Sequence, residues 1–174
     1  EDVTPPAAGE GEVLVAMRAA AVNFPDLLVI QGKYQNRPEL PFSPGMEGAG
    51  VVAATGAGVR GIEIGDRVMV QVEHGTFAER VVAQAEACFT IPDGMGFEAA
   101  AAIGVAYQTA YLALVERARV RSGETVLVTG ATGSVGIATM QLARALGCVV
   151  IAGITTPAKQ DVARDNGADH VIDL

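Results

Sequence analysis

Thr125-Val126-Leu127-Val128-Thr129-Gly130-Ala131-Thr132-Gly133-Ser134-Val135-Gly136 is the stretch on which the fold turns. Val126, Leu127 and Val128 form a short apolar run of the kind a buried parallel strand needs. Glycines follow at once. Val135, Ala138, Leu142 and Leu146 then recur at spacings of three and four, which is a helical pattern. In this order of strand, glycine turn and helix, Ala131-Thr132-Gly133-Ser134-Val135-Gly136 reads as a dinucleotide fingerprint of the form A-x-G-x-x-G. Gly133 keeps a Cβ out of the path of a pyrophosphate, and Gly136 lets the helix pack closely on the strand. Free N–H groups at the helix start, aided by the helix dipole, hold the phosphate charge. Ala131 stands where a first glycine is usual, which implies a slightly wider turn. The bland alternative is a turn whose glycines serve packing alone, and the flanking strand and helix weigh against it.

Downstream, residues 148–154 form a second apolar run. Residues 157–166 form a second helical stretch, with Pro157 tolerated in its first turn, and His170–Asp173 reads as a third strand. The sequence from 125 onward is therefore β-α-β-α-β, half of a doubly wound parallel sheet. Upstream, residues 97–117 are rich in Ala, Leu, Glu and Tyr and predict a helix. A domain boundary is placed at its start, giving units 1–96 and 97–174. Within the first unit, alternation around Val13, Val15 and Met17 predicts a strand. Asn23-Phe24-Pro25-Asp26 leads into a short helix, and prolines at 38, 41 and 44 forbid a regular element in the loop that follows. Gly56-Ala57-Gly58 and Gly65-Asp66-Arg67 punctuate further short strands. The fold class is α/β with a β-rich N-terminal domain.

A chain of 174 residues suffices for one domain or two small ones, and its 50% hydrophobic content supports a packed core. A net charge of −8 argues against nucleic acid and against anionic membrane surfaces as partners. Cys88 and Cys148 each stand among apolar or aromatic neighbours and read as buried thiols, which suits a reducing, cytoplasmic compartment. No segment is long and apolar enough to span a bilayer, and no secretory signal is visible. The chain opens at Glu1 without Met and stops at Leu174 after a strand-like run, so both ends read as cuts through a longer protein.

Several stretches together resemble the zinc-free quinone oxidoreductases among the medium-chain dehydrogenase/reductases. They are Asn23-Phe24-Pro25-Asp26 with Gly32-Lys33-Tyr34, Pro44-Gly45-Met46-Glu47-Gly48-Ala49-Gly50, Gly65-Asp66-Arg67-Val68, Gly75-Thr76-Phe77-Ala78-Glu79 and the fingerprint. The resemblance implies a GroES-like β domain followed by the first half of a Rossmann domain. Zinc-dependent members carry Gly-His-Glu where this chain has Gly45-Met46-Glu47, and a cysteine ligand where it has Asn23. Neither Met46 nor Asn23 offers a thiolate or imidazole, so no zinc is expected. His74 reads as a turn residue and His170 as the start of a strand.

By the same resemblance the protein uses NADPH to reduce a small-molecule quinone or activated enone. Asn23 is placed at the nicotinamide ribose or a substrate oxygen, and Tyr34 at the substrate carbonyl. Leu28 stands where relatives often have a second tyrosine. Thr109 matches a position near the nicotinamide. Ala131, Thr132, Gly133, Ser134, Val135 and Gly136 take the pyrophosphate. Asp66 and Glu47 read as structural. NAD-specific domains carry an acidic residue at the end of the second strand. Here that strand ends in Gly153-Ile154-Thr155-Thr156 and the next acid is Asp161. Lys159 matches a phosphate-binding lysine of the family and Thr156 adds a hydroxyl, which together favour NADPH over NADH. Asn23 as a turn cap, Tyr34 as a packing residue and Lys159 as a solvated helix lysine are the plain alternatives. An enoyl reductase and a non-catalytic, crystallin-like NADPH-binding protein are the competing functions. The full-length protein is expected to be a homodimer, and the 174-residue chain alone inactive.

Overall fold

The computed structural model describes residues 6–174, so the opening segment from Glu1 to Pro5 lies outside the described residues. Contacts divide the chain after Val105 into an N-terminal and a C-terminal unit. The boundary read from composition falls earlier, at 96/97, where helix-forming residues begin. The helix at Phe97–Ala101 nevertheless packs with the N-terminal sheet, its Ala100 and Ala101 sharing a cluster with Ala49 and Ile91.

The N-terminal unit is a five-stranded antiparallel sheet. Its strands are β1 (Glu12–Ala21), β2 (Glu47–Thr55), β3 (Arg67–Gln71), β4 (Arg80–Gln84) and β5 (Cys88–Thr90), in the order β4-β1-β2-β3-β5. Alternation within β3 and β4 buries Val68, Val70, Val81 and Ala83, which join Val13, Val15 and Val52 in one cluster. β-branched side chains fit this pleated, half-buried surface. Strand β5 has no period-2 signal of its own, since three residues are too few to show one. It is fixed by pairing with β3, Val70 facing Cys88. Helix α1 (Phe24–Ile30) follows β1, as its Asn-Phe-Pro-Asp entry predicts.

The sequence reads 97–117 as one helix. The structure divides it into α2 (Phe97–Ala101), α3 (Gly104–Tyr111) and a π-helical turn at Leu112–Arg117. The break lies at Ala102 and Ile103. A Cβ at Gly104 would stand 2.8 Å from the Glu47 carboxylate, so the second helix begins on a glycine around a buried side chain.

The C-terminal unit holds β6 (Thr125–Thr129), α4 (Ser134–Ala145), β7 (Val149–Ile154), α5 (Gln160–Asp165) and β8 (His170–Asp173). The three strands form a parallel sheet in the order β6-β7-β8. Its core gathers Val128, Val150, Ala152 and Ile154 with Met140 and Ala143 of α4. Tyr107 donates to Gln141, whose amide nitrogen donates to Asn166 over 2.8 Å. The helix expected over 157–166 opens as a 3-10 turn at Pro157–Lys159 before α5. Proline at the first position suits that tight entry. Among the described residues no helix is long and apolar enough to cross a membrane. Cys88 and Cys148 are buried free thiols, and burial pushes the Cys88 thiol up to about 11.

Candidate functional site

In the C-terminal unit the site is built from backbone. Thr129 at the end of β6 pairs with Gly153 of β7, so the glycine turn and the segment after β7 leave the sheet at the same edge. Ala131 is fully buried and its N–H donates to the Gly153 carbonyl over 3.3 Å, which anchors the turn to β7. Gly133 is the N-cap of α4 in extended conformation, with no side-chain cap. The N–H groups of the first helical turn therefore lack intrahelical acceptors. No acidic residue stands in that turn to compete for them.

The two glycines of the fingerprint do different jobs. A Cβ on Gly133 would meet only the Gly130 carbonyl, at 3.4 Å, and the residue is exposed. A Cβ on Gly136 would collide with the Gly130 carbonyl and lie 2.7 Å from the Ala131 carbonyl carbon. Gly136 thus lets α4 pack on the backbone of its own turn rather than on the strand, which corrects the sequence reading. Thr132 is half-buried, while Ser134 and Val135 are exposed. This open, uncapped helix start, free of acidic side chains, fits the pyrophosphate of a dinucleotide.

Thr156 and Lys159 are both exposed on the segment that leaves β7, and the Lys159 N–H closes the 3-10 turn on the Thr156 carbonyl at 3.0 Å. The structure adds a residue that sequence reasoning missed. Ile154 pairs with Asp173 of β8, which sets an exposed carboxylate at the same edge. Only the strand order reveals it, because Asp173 lies beyond α5 in the chain. Thr109 is exposed on α3.

In the N-terminal unit the candidate residues are held by side chains. Asn23 is the N-cap of α1 and is buried, and its N–H donates to Asp26 Oδ2 over 2.8 Å. Its side-chain Nδ2 donates to Glu47 Oε1 over 2.7 Å. Glu47 Oε2 accepts the Val105 N–H over 2.8 Å, and the Glu47 carbonyl accepts Thr76 Oγ1 over 3.0 Å. Asn23, Asp26, Glu47 and Thr76 are all buried, and Asp26 Oδ1 has no hydrogen-bond partner among the described residues. The capping role foreseen as the plain alternative for Asn23 is therefore present, and a bond to Glu47 accompanies it.

Tyr34 is half-buried just past the end of α1, where the Lys33 N–H donates to the Leu28 carbonyl over 2.8 Å. Asn23 and Tyr34 thus flank one short helix, whose Phe24, Leu27 and Ile30 are exposed. Met46 is half-buried, and His74 packs edge-on against Phe42. Among the described residues no three His, Cys, Asp or Glu side chains gather as metal ligands.

Residues 9–93 match the alcohol dehydrogenase GroES-like domain. The chain is 45% identical over 169 residues to the synaptic vesicle membrane protein VAT-1 homolog of Rattus norvegicus, covering 97% of this chain and 42% of that protein. It is 39% identical over 171 residues to the quinone oxidoreductase of Sus scrofa, covering 98% of this chain and 52% of that protein. The crystal structure of the Escherichia coli quinone oxidoreductase complexed with NADPH superposes with a TM-score of 0.91 at 32% identity, over 99% of this chain and 53% of that one. The chain thus spans about half the length of the relatives it matches.

Proposed function

We propose, for a chain that belongs to the medium-chain dehydrogenase/reductases of quinone oxidoreductase type, that the whole protein is an NADPH-dependent reductase of quinones or activated enones. The observation that carries the reading is the uncapped, acid-free start of α4, opened at Gly133. NADPH supplies a hydride when bound. The backbone N–H groups of Ser134, Val135 and Gly136, which begin the helix after the Gly133 N-cap, hold its pyrophosphate, and Lys159 with Thr156 takes the 2′-phosphate after β7. A charge-assisted hydrogen bond of this type is worth about 1.5–3 kcal/mol, and the exposure of Lys159 puts it at the low end.

On the substrate side Tyr34 donates its hydroxyl to a carbonyl oxygen, which stabilises the charge that develops there. The exposed apolar face of α1, with Phe24, Leu27 and Ile30, suits a flat apolar substrate. The reduction runs without zinc in this reading, because Asn23 and Met46 offer neither thiolate nor imidazole. Metal analysis that finds one equivalent of zinc, lost together with activity, would refute that part.

Binding of NADPH and NADH to the full-length protein tests the cofactor assignment. Wild type is expected to prefer NADPH, and Lys159→Ala to weaken NADPH by about tenfold while leaving NADH unchanged. Equal binding of both cofactors, or equal losses on mutation, sinks it.

A further inference from the structure

We infer that Asp173 is a specificity-determining residue of the cofactor cradle: its carboxylate accepts a hydroxyl of the adenosine ribose and opposes a 2′-phosphate, which narrows the preference for NADPH over NADH. The inference deepens the reading of this chain as part of an NADPH-dependent reductase and rests on it.

The three parallel strands end at one edge. Thr129 closes β6 and pairs with Gly153, and Asp173 closes β8 and pairs with Ile154. NAD-specific domains carry an acid at the end of the second strand. Here that strand ends in Ile154, which is buried, and Thr155 and Thr156 follow it. Asp173 stands beside Ile154 at the spacing of adjacent strands, about 4.8 Å. The Leu174 N–H donates to the Ile154 carbonyl over 2.8 Å, which fastens the end of β8 to that of β7. The acid missing from one strand is therefore supplied by its neighbour.

The face of the sheet agrees. Side chains alternate along a strand, and paired residues share a face. Ile154 packs in the core with Met140 of α4 and Ala163 of α5. Asp173 shares its face, on the side toward which the 3-10 turn Pro157–Lys159 leads into α5. Lys159 and Asp173 are both exposed. Among the described residues the ion pair is Arg144 with Asp169, so Lys159 and Asp173 do not neutralise each other.

A carboxylate only accepts hydrogen bonds. The adenosine ribose of NADH has two hydroxyls that donate to it. In NADPH one of them is replaced by a phosphate, which brings negative charge and acceptor oxygens instead. Lys159 draws that phosphate in, and Asp173 repels it.

The experiment measures the affinity of the full-length wild type, Asp173→Ala and Asp173→Asn for NADPH and for NADH, at low and high salt, with thermal midpoints alongside. Asp173→Ala is expected to weaken NADH by about threefold to fivefold and to tighten NADPH by about twofold. Asp173→Asn keeps an acceptor oxygen, so it tightens NADPH to the same degree and leaves NADH within about twofold of wild type. High salt erases the NADPH gain and spares the NADH loss. A merely structural role for Asp173 moves both cofactors in the same direction. The inference is overturned if Asp173→Ala changes both affinities by the same factor, or changes neither. If Asp173→Ala does not fold, Asp173→Asn decides: a salt-sensitive rise in the ratio of NADPH to NADH affinity supports the inference, and an unchanged ratio overturns it. Wild type that binds NADPH while the ratio ignores Asp173 refutes this inference alone. Wild type that binds neither dinucleotide refutes the cofactor assignment, and this inference with it.

Discussion

Among the described residues, the N-terminal unit buries four polar side chains, Asn23, Asp26, Glu47 and Thr76, whereas the side chains buried in the C-terminal unit are apolar. The first unit therefore holds its candidate groups through side-chain hydrogen bonds between segments far apart in sequence. The second exposes backbone N–H groups at a glycine turn and relies on shape. Each design fails in its own way. A side-chain network is sensitive to chemistry at constant volume, and a backbone cradle is sensitive to volume at constant chemistry.

The sharpest test of that contrast is a pair of alanines in the fingerprint. Gly136→Ala forces a Cβ into the Gly130 and Ala131 backbone. It is expected to destabilise the C-terminal unit by about 2–3 kcal/mol, read by denaturant unfolding. Gly133→Ala has room and a backbone conformation that alanine adopts freely. It should leave the unfolding midpoint in place and cut NADPH affinity. Equal destabilisation by both would erase the distinction between the two glycines.

In the N-terminal unit the informative changes remove hydrogen-bonding groups from the network. Glu47→Ala strips acceptors from both the Asn23 amide and the Val105 N–H and is expected to cost about 2–3 kcal/mol. Thr76→Val keeps the volume and loses only the Oγ1 bond to the Glu47 carbonyl, at about 1 kcal/mol. Unfolding curves that rank the two the other way would break the account of Glu47 as the hub.

How far the sequence discloses the molecule follows the same division. The fingerprint is local: Thr125 to Gly136 carries its strand, turn and helix in twelve consecutive positions, and periodicity finds them. The hold of Glu47 on Asn23 spans 24 residues, and its hold on Val105 spans 58. No local pattern encodes a partner at that distance. The helix expected over 97–117 failed for the same reason, since helix-forming alanines run straight through a break set by Glu47 reaching Val105 beside Gly104. Asp173 escaped notice because only strand order puts it beside Ile154.

Two smaller effects sharpen the comparison further. The Cys88 thiol is pushed by burial from 9.0 up to about 11. The unfolded chain then releases this proton at lower pH than the folded one. Stability from Cys88 is fully present below pH 9.0 and is lost as pH rises toward about 11. Unfolding midpoints of wild type should fall between pH 9.0 and about 11 more steeply than those of Cys88→Ala. Smallest is Asp173→Asn, which removes a carboxylate from the edge that holds Lys159. NADPH affinity is expected to rise by about twofold, and the gain to shrink at high salt.

The strand order of the N-terminal sheet also sets a timetable. Strand β1 lies between β2 and β4, and Glu12 and Gln84 are bonded across a separation of 72 residues. A ribosome adding about 5–20 residues per second takes roughly 4–14 s to span that interval. Until then one edge of β1 emerges with no strand to pair it, which is the state most open to capture by another nascent chain. Strand β6 meets its neighbour β7 sooner, because Thr125 pairs with Val149. That vulnerable interval therefore ends before the glycine turn after β6 has been made.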